Sequence, residues 1–90
     1  MQKSAEVKLF GKVQGVFFRD SAKKKADELK IKGYAQNKPD GTVLIEAQGE
    51  EEALDDFLEW CGQGPELARV DKIEEVISNE SKDYFDFLIK

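Results

Sequence analysis

Arg19 closes the stretch Gly11-Lys12-Val13-Gln14-Gly15-Val16-Phe17-Phe18-Arg19, and the residue types around it suit an oxyanion. A guanidinium offers a planar, cationic fork of donors that matches phosphate or carboxylate oxygens. Gly15 accepts a positive φ and lets a ligand approach the main chain closely. A turn that leads from a strand into a helix points successive backbone N–H groups outward, and the helix start adds partial positive charge. The stretch is not a P-loop, because no Lys-Ser or Lys-Thr pair follows the second glycine. Nor is it a dinucleotide fingerprint, since no third glycine opens the helix. A glycine-containing turn followed by arginine also occurs where nothing binds. Asn37 stands just before Pro39-Asp40-Gly41, where asparagine is favoured as a turn residue.

What is missing narrows the chemistry further. The chain has no histidine, which removes His acid–base catalysis, the Ser-His-Asp triad and every His-based metal site. Its acidic residues do not gather at a ligand spacing, so no metal is expected. Cys61 is the only cysteine. It reads as a small core hydrophobe among Phe57, Leu58 and Trp60, with no base to activate it. The net charge of −5 is the wrong sign for a phosphate-backbone binder. The basic run Lys23-Lys24-Lys25 is expected to be the solvated face of a helix. No run is long enough to span a membrane and no signal segment is seen near Met1, so a cytoplasmic protein is expected.

The elements that must position these groups follow from periodicity. Residues 1–90 are expected to form one domain. Val7, Leu9, Gly11 and Val13 alternate with Lys8, Phe10 and Lys12, predicting a strand over about 5–13. Ala22, Ala26 and Leu29 recur at helical spacing, predicting a helix over about 20–31, with Asp20 or Ser21 as N-cap, cations in its last turn and Gly33 as C-cap. Tyr34 to Lys38 and Thr42 to Gln48 form a hairpin about Pro39-Asp40-Gly41. Glu50, Glu51 and Glu52 open a second helix whose core face is Ala53, Leu54, Phe57, Leu58 and Cys61, stopped by Gly62, Gly64 and Pro65. Arg69 to Val76 is a fourth strand, Asn79 to Lys82 a polar turn, and Tyr84 to Ile89 a closing strand. One of Phe17 and Phe18 is expected in the core and the other at the site mouth. The order βαββαβ plus a closing strand is the ferredoxin-like split β-α-β plan, an α+β fold with two helices on one face of an antiparallel sheet.

Two motifs in this order carry a resemblance. Gly11 to Arg19 resembles the first signature of the acylphosphatase family, Gly-x-Val-Gln-Gly-Val-x-Phe-Arg. Gly33-Tyr34-Ala35-Gln36-Asn37, then Gly41-Thr42-Val43 and Gly49, resembles the second. Gly64 to Val70 is similar to the family's stretch after its second helix, and the likeness runs from about residue 5 to 89. The resemblance implies hydrolysis of acyl phosphates to a carboxylate and inorganic phosphate, with no metal or cofactor. It implies Arg19 as the phosphate-binding arginine and Asn37 as the water-orienting residue. The backbone of Gln14, Gly15, Val16, Phe17 and Phe18, with Arg19, is the implied phosphate cradle. The expected partners are a small acyl phosphate and inorganic phosphate, with no nucleic acid and no membrane, acting on a monomer. Gln36 stands where relatives often carry a basic residue, and Asp20 adds a carboxylate beside Arg19. Both departures point to weaker phosphate affinity.

The missing histidine fits this substrate class, because a carboxylate leaves at neutral pH without a proton from the enzyme. Two other classes stay open. An RNA-recognition domain shares the βαββαβ plan but stacks bases on aromatics of its middle strands, and Thr42 to Gln48 has none. A sensor or assembly module would keep the cradle without turnover.

Overall fold

The computed structural model describes residues 2–80, 82 and 84–90. The chain runs β1 (Gln2–Lys12), α1 (Phe18–Leu29), β2 (Lys32–Asn37), β3 (Val43–Glu50), α2 (Glu51–Gln63), β4 (Arg69–Ser78) and β5 (Phe87–Ile89). The strands form one sheet in the order β4-β1-β3-β2-β5. β1 pairs antiparallel with β3 and β4, and β2 pairs antiparallel with β3. β5 runs parallel to β2, so the sheet is mixed and not wholly antiparallel.

Alternation sets the two faces of the sheet. Ala5, Val7 and Leu9 of β1 and Val43, Ile45 and Ala47 of β3 are buried on the helix side. Against them pack Phe18, Ala22 and Ala26 of α1 and Leu54, Phe57, Leu58 and Cys61 of α2. Phe57 is the aromatic hub, with ring centroids 5.8 Å from Phe87 and 6.2 Å from Trp60, while Trp60 lies 5.5 Å from Phe18. Phe18 is fully enclosed and Phe17 is 68% exposed, which resolves the aromatic pair. Burial pushes the Cys61 thiol far above its ordinary pKa, with a smaller contribution from Glu75, so it stays a protonated core group.

Helix boundaries differ from expectation at both ends of α1. The helix begins at Phe18, and its N-cap is Phe17 at φ 64°, not Asp20 or Ser21. Seating Phe18 in the core starts the helix earlier, so Asp20 falls in the first turn, where the helix dipole favours a carboxylate. At the other end Lys30, not Gly33, takes the left-handed conformation, at φ 58°. The Ile31 N–H donates to the Ala26 carbonyl at 2.8 Å and the Lys30 N–H to Asp27 at 3.3 Å, a Schellman closure anchored by buried Ile31. No cation therefore sits in the last turn. Gly33 is needed for a different reason: a Cβ there would run into the Glu46 main chain of β3. α2 continues through Gly62 to Gln63 and ends at Gly64.

The closing strand is shorter than expected, because Tyr84, Phe85 and Asp86 belong to a connection. That connection must carry the chain from the β4 edge to the β5 edge, across the sheet face opposite the helices. Glu46, which projects from β3 on that face, accepts hydrogen bonds from Lys82 Nζ at 2.6 Å and Tyr84 Oη at 3.2 Å. The Tyr84 ring meets Tyr34 edge-on at 6.2 Å. The polar turn expected at Asn79 to Lys82 includes Ser81, which lies outside the described residues. Lys23 is also more than a solvated side chain, since its Nζ donates to the Phe87 carbonyl at 2.8 Å and ties α1 to β5.

Candidate active site

The cradle loop is held down by every second or third side chain. Val13, Val16 and Phe18 are buried, and they leave Gly15 and Phe17 on the outside. Phe18 is seated against Gly64, where a Cβ would come within 2.7 Å of the ring. Gly15 takes φ 75° and Phe17 φ 64°. Val16 between them does not take a positive φ, and alternation of this sort is the main-chain pattern from which anion-binding concavities are built. A phenylalanine at positive φ costs about 1 kcal/mol or more. The buried neighbours Val16 and Phe18 enforce it.

A cavity of about 270 Å³ opens over this loop, lined by Val13, Gly15, Phe17, Phe18, Arg19, Asp20 and Asn37. Arg19 reaches it from the first turn of α1 and Asn37 from the last residue of β2. The two side chains expected to do the chemistry thus face one space. Arg19 Nη1 donates to the main-chain oxygen of Lys90 at 2.8 Å, which leaves its other guanidinium donors for a ligand. No protein group hydrogen-bonds the Asn37 amide or the Asp20 carboxylate among the described residues.

Gln14 and Val16 do not line the cavity. The Gln14 Nε2 donates to the carbonyls of Lys38 at 2.8 Å and Thr42 at 2.9 Å. Its side chain therefore clamps the cradle loop to the β2–β3 turn, and so fixes the height of Asn37 beside it. The turn has its own lock: the Lys38 N–H donates to Thr42 at 2.9 Å and the Gly41 N–H to Lys38 at 3.1 Å. Asp40 accepts from both the hydroxyl and the N–H of Thr42 and pairs with Lys8 at 3.2 Å. The Thr42 hydrogen bonds, then Lys8, hold the Asp40 carboxyl well below its usual range, at about 2. The Gln14 clamp and the Lys8–Asp40 pair are not legible in the sequence, because each joins residues far apart along the chain.

The Acylphosphatase family model matches residues 5–89. An acylphosphatase of Rubrobacter xylanophilus is 44% identical over 80% of this chain and 66% of its own length. One from Methanococcoides burtonii is 43% identical over 96% of this chain and 90% of its own. The crystal structure of acylphosphatase from Bacillus subtilis superposes with a TM-score of 0.94 at 33% identity, covering 98% of both chains.

Proposed function

The chain belongs to the acylphosphatase family, a hydrolase family acting on acyl phosphates, and from that footing we propose how its residues divide the work. The N–H groups from Gln14 to Phe18 and the Arg19 guanidinium hold the three non-bridging phosphoryl oxygens. Asn37 places the attacking water. The observation that carries this assignment is the common cavity: Arg19, Asn37, Gly15, Phe17 and Phe18 all line it.

The reaction needs little else. Water attacks phosphorus, the bond from phosphorus to the bridging acyl oxygen breaks, and the acyl group leaves as a carboxylate. The Asn37 carbonyl accepts a hydrogen bond from the water and aims it in line, and a phosphoryl oxygen of the substrate takes the proton. Amide donors and a guanidinium fixed before the substrate arrives stabilise the phosphoryl charge without reorganising. No step calls on a general acid, a metal or a cofactor. That limits the enzyme to good leaving groups and disfavours alkyl phosphate monoesters.

The whole chain, residues 1–90, acts as a single domain, as a monomer in the cytoplasm. Light scattering on the purified protein checks the monomer. The RNA-binding alternative is set aside: β3 presents no aromatic to the open sheet face, and its Glu46 is covered there by Lys82 and Tyr84.

The test is turnover of benzoyl phosphate. Arg19→Ala and Asn37→Ala each reduce kcat/KM by at least about 10²-fold, with far-UV circular dichroism unchanged. Inorganic phosphate competes with substrate, and EDTA has no effect. Near-normal turnover by either variant, or a requirement for metal, contradicts the mechanism.

A further inference from the structure

Once the cradle and Arg19 hold the phosphoryl group, the two exposed side chains that line the cavity take no part in that grip, namely the Phe17 ring and the Asp20 carboxylate. We propose that they select the acyl group, admitting acyl phosphates whose acyl part is apolar or cationic and rejecting those that carry a second anionic group. This inference rests on the assignment of the phosphoryl site to the Gly15–Arg19 loop.

The geometry gives each residue its part. Phe17 is 68% exposed although it occupies a strained N-cap position, so its ring is an apolar wall facing outward and not a core filler. An acyl chain leaving the phosphoryl group across that wall buries its first carbons there. Asp20 follows Arg19 in the first turn of α1, exposed, and no Lys or Arg forms an ion pair with it among the described residues. Asp40, in the turn that follows Asn37, is already engaged by Lys8 and Thr42. Arg19, the only cation lining the cavity among the described residues, is committed to the phosphoryl oxygens and the Lys90 oxygen. A second carboxylate or phosphate on the substrate therefore meets Asp20 with no free cation in the cavity to receive it. An ammonium group on the acyl chain, as in an aminoacyl phosphate, meets a carboxylate ready to pair with it.

The repulsion is worth about a fivefold change in kcat/KM for unit charges several ångströms apart at the mouth of a hydrated cavity. It weakens as salt rises. Asp20 also repels the phosphoryl group itself, but that effect is common to all substrates and cancels in a ratio.

The experiment compares benzoyl phosphate with 4-carboxybenzoyl phosphate on the wild type, Asp20→Asn and Asp20→Lys, at low and at high salt. The wild type prefers benzoyl phosphate after correction for uncatalysed reactivity. Asp20→Asn lowers that preference by about fivefold, Asp20→Lys reverses it, and high salt erases the difference between variants. In parallel, Phe17→Ala raises KM for benzoyl phosphate more than for acetyl phosphate. A wild type that hydrolyses both aromatic substrates with a preference unaltered by either Asp20 substitution overturns the selection and leaves the phosphoryl site standing. A wild type that hydrolyses no acyl phosphate overturns both. Asp20 is exposed and unpartnered, so its variants fold, and circular dichroism verifies it.

Discussion

Gln14→Ala isolates the joint between the cradle and Asn37. The Gln14 amide is half-buried and donates two hydrogen bonds, at 2.8 and 2.9 Å, to the carbonyls that bracket the β2–β3 turn. Each such bond contributes about 1 kcal/mol net, and both carbonyls keep their main-chain donors within the turn after truncation. The expected loss is about 2 kcal/mol of stability. In a domain of this size that lowers Tm by roughly 8–16 °C. Kinetics respond unequally: the cradle N–H groups and Arg19 stay on their own side of the joint, whereas Asn37, next to Lys38, loses its reference. kcat for benzoyl phosphate therefore falls about tenfold or more, since misplacement of a positioning group by an ångström costs up to about 10²-fold. The inhibition constant of inorganic phosphate moves less than threefold (about 0.6 kcal/mol at most). Thermal melts and steady-state kinetics at 20 °C read both. Wild-type Tm and kcat would refute the idea that Gln14 sets the position of Asn37. So would a phosphate inhibition constant that rises in step with the loss of kcat.

Other perturbations test separate parts of the fold. Asp40 has a depressed pKa in the folded chain, so its contribution to stability is present above its unfolded value near 4 and is lost as pH falls toward about 2. Asp40→Asn should flatten the pH dependence of Tm in that window, and an unchanged profile would exclude Asp40 as its source. Lys23→Met removes the donor to the Phe87 carbonyl. It should cost about 1 kcal/mol and speed hydrogen exchange at the Gly33 and Lys90 amides, which bond across β2 and β5. Wild-type protection at both amides would count against the tether. Phe17→Gly relieves the positive φ and gives up little burial, so Tm should rise by a few degrees. A fall in Tm would place the Phe17 ring in the packing.

Residue pattern made most of this architecture legible. The period of two in β1, the helical recurrence of Ala22, Ala26 and Leu29, and the turn at Pro39-Asp40-Gly41 each state a local preference that the tertiary structure keeps. The misjudged boundaries lie where packing overrides a local signal. Phe18 enters the core and drags the start of α1 ahead of Asp20. Ile31 closes the other end through Lys30, although Gly33 looks like the natural stop. Tyr84 to Ile89 alternates like a strand, yet its first half must cross the sheet to reach the far edge, and no local pattern encodes that distance. In the site, Arg19, Gly15 and Asn37 stand in recognisable motifs. The Gln14 clamp and the Lys90 oxygen on Arg19 depend on contacts between residues far apart in sequence.

Titration of the ¹⁵N-labelled protein with inorganic phosphate, followed by amide chemical shifts, addresses the cradle most directly. Saturable shifts should concentrate in the Gly15 to Arg19 amides, survive in Asn37→Ala and disappear in Arg19→Ala. Shifts that map elsewhere, or that persist undiminished without the Arg19 guanidinium, would contradict a phosphoryl site built from this loop.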